Sequence, residues 1–161
     1  AAVSNANAEW DAATGVFVGN PDSTDATATQ TDATAAGFNI TVNNSGVVNY
    51  LNRFGKLTNE SYKSFDPVGE MYYAATRYFR NLGNVPAYTD FTGAGSDNNL
   101  ARWVDGFPVV RRWNDPLQYS CQKNFILGIG DVYTHRDRNI PGSTITSTDE
   151  PAVPTARPAA L

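Results

Sequence analysis

Cysteine is nearly absent from this 161-residue chain: Cys121 stands alone. No disulfide can therefore close within it, and no cysteine zinc site can form. A small core role is expected for Cys121, because unpaired cysteine is among the most buried residue types. Pairing with a cysteine of another chain is the alternative. Histidine is as scarce, with His135 the single example. Basic charge is in deficit, 12 Lys and Arg against 16 Asp and Glu for a net charge of −4. That balance argues against a nucleic-acid or anionic-membrane partner, which would favour a basic patch. No apolar run approaches the roughly 20 residues needed to span a bilayer. Ala1–Glu9 has neither the basic nor the apolar region of a signal peptide and no initiator Met. The chain is expected to be processed or to be a piece of something longer. Neither a Gly-x-Ser-x-Gly elbow nor a phosphate-binding Gly-rich loop occurs.

Ala, Thr, Asn, Asp and Gly fill the space left by a charged fraction of 17%. The length suffices for one domain and one core. This composition, poor in Lys, has an extracellular character. Asn39-Ile-Thr41, Asn43-Asn-Ser45 and Asn59-Glu-Ser61 match the glycosylation sequon, a common pattern.

Gly15–Gly19 and Phe38–Val42 read as short strands. Between them, Pro21–Gly37 shows no apolar periodicity and reads as a surface loop or linker. Its acids, Asp22, Asp25 and Asp32, lack the spacing of a calcium-binding EF-hand loop. Val47–Phe54 reads as a short helix with Val48 and Leu51 on one side and Gly55 as its stop. The clearest helix follows. Asp66 is a good N-cap and Pro67 suits the first helical position. Val68, Met71, Tyr72, Ala75, Phe79 and Leu82 recur at three- and four-residue steps, and Gly83 supplies the stop. The Tyr72, Tyr73, Tyr78 and Phe79 stripe reads as packing. Residues 84–120 form a long Gly-, Pro- and Asp-rich connection, with Val109-Val110 as a small strand. Trp103, Phe107 and Trp113 imply that this connection packs onto something. The tail, 143–161, is expected to be extended or disordered.

Gln122–Asp131 carries the functional expectation. Phe125, Ile126, Leu127 and Ile129 form a near-continuous apolar block, as in a strand covered on both faces in a parallel sheet. Ligands in open α/β sheets sit beyond the carboxyl ends of the strands, where Asp131, Thr134, His135 and Asp137 follow. The plainer reading makes Asp131 a turn cap.

The segment Tyr62–Phe79 resembles the helix-opening segment of a von Willebrand factor A domain, and the strand-plus-Asp at 125–131 resembles a later strand of that domain. Three blocks are similar to PilY-type proteins, secreted factors associated with assembly and the tip of type IV pili. They are Lys63–Tyr73 (KSFDPVGEMYY), Trp113–Phe125 (WNDPLQYSCQKNF) and Gly130–Gly142 (GDVYTHRDRNIPG). The likeness covers about residues 48–142. It implies an α/β fold, a partial doubly wound parallel sheet. It also implies an Mg or Ca ion held by Asp131, with Asp66 where the family has a Thr. The family's Asp-x-Ser-x-Ser occurs nowhere in the chain, and Asp131 is followed by Val132 rather than Gly. A complete metal site therefore cannot form from this polypeptide alone.

The implied organisation is a loop-rich segment at 1–46, a partial von Willebrand A-like region at 47–142 with an aromatic-rich insertion at 84–120, and the tail at 143–161. The implied function is non-enzymatic: pilus assembly, pilus-tip structure and adhesion at the cell surface. Its partners would be minor pilins, the remainder of a larger PilY-like protein, or a host or surface ligand. A structural subunit of an extracellular filament, binding no metal, is the first alternative. A metal-dependent hydrolase using Asp131, His135 and Asp137 is the second.

Overall fold

No β-strand forms among the described residues; a single antiparallel bridge, Trp10 to Phe17, is the only pairing. The computed structural model describes residues 8–53, 67–129, 137 and 139–143. Their regular elements are α1 (Ser23–Ala35), α2 (Val47–Arg53), α3 (Val68–Phe79) and α4 (Asp97–Val104), with 3-10 turns at Pro86–Tyr88 and Thr92–Ala94. The doubly wound parallel sheet is thus overturned. Gly15–Gly19 belongs to a tight reversal in which the Asp11 amide donates to the Val16 carbonyl at 2.8 Å. Phe38–Val42, Val109-Val110 and Phe125–Ile129 lie in no ladder. The tail beyond residue 143 lies outside the described residues, as do Phe54 and Gly55.

Two compact units divide the chain, one of residues 1–62 and 84–113, the other of 63–83 and 114–161. The first holds the hydrophobic core. Ala26 and Ala33 of α1, Ile40, Val42, Phe91, Ala94, and Leu100 and Val104 of α4 bury one another, with Phe38 and Val109 packed alongside. Segment 84–113 therefore supplies half of this core.

Helix α1 replaces the loop expected at Pro21–Gly37. Its buried stripe is Ala26, Thr29 and Ala33, small residues that give little hydrophobic signal yet suit helix and close packing. Both ends are capped. The Asp22 carboxylate accepts from the Asp25 amide at 3.1 Å. At the other end Gly37, at φ +88°, takes the left-handed position that glycine adopts without cost. The Gly37 amide then reaches the Thr34 carbonyl and the Phe38 amide the Ala33 carbonyl, closing a Schellman motif. Helix α4 begins at Ser96, whose hydroxyl accepts from the Asn99 amide at 3.3 Å. Leu100 and Val104, four apart, face the core.

Without a sheet, main-chain groups in this unit find side chains instead. The Val109 amide donates to Thr29 Oγ1 at 2.9 Å, the Val42 amide to Gln30 Oε1 at 3.1 Å, and the Asn39 amide to Asp97 Oδ1 at 3.0 Å. Ser45 hydroxyl bridges two neighbours, accepting from the Asp22 amide and donating to Asn20 Oδ1, both at 2.7 Å. Helix α2 is seated by Asn49, which is buried and donates to the Gly19 carbonyl at 2.6 Å; Leu51, expected inward, is exposed. Gly46, before α2, has φ +87°, and a Cβ there would sit 2.7 Å from Pro21 Cγ.

Arg111 ties this unit's segments together. Its guanidinium lies 4.1 Å from the Phe91 ring centroid, Nη2 donates to the Thr89 carbonyl at 2.6 Å, and Nη1 pairs with Asp32 Oδ2 at 3.3 Å. Phe107 is buried and meets Tyr50 edge to face at 5.1 Å.

In the second unit α3 forms as its periodicity predicts, but its apolar face is covered only in part: Met71 and Tyr72 are exposed, while Ala75 and Phe79 are half-buried. Glu70 is the buried residue among those described in this unit. The helix stops on Asn81 rather than on Gly83. Asn81 takes φ +50°, its amide donates to the Tyr78 carbonyl, and the Leu82 amide donates to Arg77, a second Schellman motif.

Candidate functional site

Asp66 and Asp131, the expected metal ligands, lie outside the described residues, as do Thr134 and His135. Of the expected hydrolase residues only Asp137 is described, and it has a structural task. Its Oδ1 accepts from the Gly69 amide at 2.7 Å, at the first turn of α3. Glu70, one residue on, accepts through Oε1 from the Asn139 amide at 2.8 Å. The two bonds are reciprocal, like a capping box assembled from segments far apart in sequence. Carboxylates at a helix N-terminus are also favoured by the helix dipole. Glu70 Oε2 is buried without a hydrogen-bond partner. Glu70 at the third helical position is legible from Pro67-x-x-Glu70; its distant partner at 137–139 is not.

No group of three or more His, Cys, Asp or Glu converges among the described residues. The Mg or Ca ion expected at Asp131, with Asp66, falls on residues outside those described.

Each unit carries a surface hollow among the described residues. The first unit carries one of about 450 Å³, bordered by Pro21, Asp22, Asp25, Tyr50, Phe107 and Val110. Burial, and secondarily the charge of Asp105, raises the Tyr50 hydroxyl above its ordinary pKa. Burial, followed by the charge of Asp22, raises Asp25. Glu9, Asp22 and Asp25 give this open rim three carboxylates beside the Tyr50 hydroxyl, and the Ser45 hydroxyl there is engaged by the Asp22 amide and Asn20 Oδ1.

The second unit carries a hollow of about 610 Å³ between α3 and the segment that follows Leu117. Tyr72 and Phe79 line one wall, and Leu117, Asn124, Ile126 and Gly128 the other. The lining residues 124, 126 and 128 alternate, as successive side chains of a strand do. The intervening Phe125, Leu127 and Ile129 are 82%, 83% and 90% exposed. The stretch expected to be buried on both faces is therefore exposed throughout, Ile126 on the hollow side included, with the Phe125, Leu127 and Ile129 row the more open. Cys121, just before it, is exposed and free rather than in a core.

No helix among the described residues is long and apolar enough to cross a membrane. No solved structure matches the chain. A family model described as "PilY1 homolog, second domain" matches residues 1–159. The chain is also 48% identical over 153 residues to a protein of Xylella fastidiosa strain Temecula1 named as a type IV pilus biogenesis factor PilY1 homolog. That match covers 94% of this chain and 12% of the relative's length. On these two matches, the chain belongs to the family of PilY1-homolog second domains.

Proposed function

We propose that this chain is a non-enzymatic building block of a type IV pilus biogenesis factor, working outside the cell at the surface or pilus tip. One observation carries the reading: 48% identity across 94% of the chain to a protein named as such a factor. Identity spread over the whole chain supports a shared role for the domain, although the chain spans only 12% of that relative. The local chemistry agrees. Asp137 is engaged as a helix cap, and the hollows of both units are open and lined largely by apolar side chains and rim polar groups. Surfaces of this kind bind other proteins rather than turn over a small molecule. The partners are minor pilins and the remainder of the same polypeptide; adhesion to a host or other surface is the further role of the assembled protein.

The test is removal of this domain from the whole polypeptide in the bacterium that makes it. Surface pili should be lost or strongly reduced while the shortened protein is still made and exported. Normal piliation with the domain absent would overturn the proposal.

A further inference from the structure

From Phe125 to Ile129 the chain runs without helix, turn or bend. None of these residues takes part in a hydrogen bond among the described residues. Among the described residues these five consecutive amides and carbonyls are thus unpaired, beside four large exposed apolar side chains. A polar loop would tolerate this; an apolar one presents the unpaired edge that folded proteins ordinarily cover. The segment already has strand character. Asn124, Ile126 and Gly128 turn toward the hollow beneath α3, and Phe125, Leu127 and Ile129 form a row on the opposite face. Its composition, Phe-Ile-Leu-Gly-Ile, favours a pleated, half-buried surface.

We infer that Asn124–Ile129 is a docking strand, completed by a β-strand from another region of the same polypeptide that pairs along its main chain and covers the Phe125, Leu127 and Ile129 row. The pairing joins regions of a larger protein and is distinct from a sheet within this chain. The occupant follows from the length of the relative. This chain corresponds to 12% of it, so in a protein of that size most of the sequence is tethered beside the segment. Tethering supplies an effective concentration up to the millimolar range for a short flexible link, enough for a strand-addition contact whose affinity comes from main-chain hydrogen bonds. The docking strand is read from the geometry and family membership, and it holds whether or not pilus formation depends on this domain.

Hydrogen exchange on the whole polypeptide tests it, with the 161-residue chain as reference. Amides of Phe125–Ile129 should exchange freely in the short chain and at least tenfold more slowly in the whole protein. Leu127→Pro removes one main-chain donor at a residue with no hydrogen bond to lose here, so it should abolish that protection while leaving the exchange of α1 and α4 unchanged. Leu127→Ala keeps the donor and should retain part of the protection. Equal, fast exchange in both proteins would overturn the inference. Protection that appears in the short chain with rising concentration would also overturn it, by assigning the strand to a second copy. Protection indifferent to Leu127→Pro would replace strand pairing with apolar contact alone.

Discussion

Replacing Arg111 with Ala should destabilise the first unit by about 1–3 kcal/mol. The guanidinium makes three interactions at once. Donation from Nη2 to the Thr89 carbonyl at 2.6 Å is a charge-assisted hydrogen bond, for which about 1.5–3 kcal/mol is typical. Stacking over Phe91 at 4.1 Å adds about 0.5–2 kcal/mol. The 3.3 Å pair with Asp32 is discounted to roughly 0–1 kcal/mol, because the Asp32 side chain is 39% exposed and solvent screens it. Against these stands Nε, buried without a partner, a desolvation cost of about 1–3 kcal/mol that the native residue already carries. The ordering within the series matters more than the total. Asp32→Asn should cost at most about 1 kcal/mol, and Arg111→Lys should fall between it and Arg111→Ala, because an ammonium lacks the planar fork that reaches Thr89 while stacking on Phe91.

Tryptophan fluorescence during urea unfolding is the assay. All three tryptophans, Trp10, Trp103 and Trp113, belong to the first unit, so the signal reports that unit in the intact chain. With a urea slope of about 1.5 kcal/mol/M, a loss of about 1–3 kcal/mol moves the midpoint down by roughly 0.7–2 M. A shift for Arg111→Ala below about 0.7 M, or an Asp32→Asn shift equal to it, would refute the reasoning.

Three further outcomes are expected. Asp137→Ala should release the Gly69 amide and speed its hydrogen exchange about fivefold, matching a cap worth about 1 kcal/mol, whereas Asp137→Asn keeps an acceptor and should do less; unchanged exchange in the Ala variant would show that the cap has no hold. Gly46→Ala should lower the urea midpoint of the tryptophan signal, by about 1–2 kcal/mol from left-handed backbone alone, with the contact to Pro21 Cγ adding to it; a neutral result would count against the φ of +87°. Carboxyl NMR titration should find Asp11 and Asp90 below the ordinary Asp value, held there chiefly by the Thr14 and Thr92 amides respectively, and Asp25 above it because of burial. The signs then oppose. The first two stabilise the fold above the unfolded Asp pKa and lose that effect as pH falls through their folded values, while Asp25 opposes folding when ionised and relieves it as pH falls through its raised value. An Asp25 midpoint at or below that of Asp11 would contradict the assignment.

Helices α2 and α3 were legible because large apolar residues recur at helical spacing, and α3 because Pro67 marks its start. The burial that such spacing implies did not follow. In α2 the inward residue is Asn49, and in α3 it is Glu70, since each is seated by hydrogen bonds rather than by its Leu or Met. Helix α1 was hidden for the converse reason. Its inward stripe of Ala26, Thr29 and Ala33 carries little hydrophobicity, although its caps, Asp22 and Gly37, stood fifteen residues apart in plain view. Helix α4 was lost in the Gly- and Asp-rich connection, where Ser96 before Leu100 and Val104 was the available sign. For the site, of the residues singled out after the apolar run only Asp137 is described. Asp137 does act at the start of α3, but as a cap on an amide 68 residues away, a relation no local pattern encodes.

The Thr, Asn and Asp richness that suggests a linker on composition alone has a different physical explanation once the sheet is gone. Strand-like segments at 38–42 and 109–110 still carry amides that must be satisfied, and Gln30, Asp97 and Thr29 satisfy them from helices packed alongside. In this unit, polar side chains on α1 and α4 do the work of neighbouring strands, and the small residues between them let the chain approach closely enough for the bonds to form. Phe125–Ile129 meets the same demand with none of the same supply. It is flanked by Asn124, whose side chain donates to the Gln122 carbonyl, and among the described residues no helix-borne Thr, Gln or Asp is bonded to its main chain. Its β-branched and aromatic composition is that of a strand, which is why the docking proposed above takes the form of strand pairing rather than of a side-chain cap.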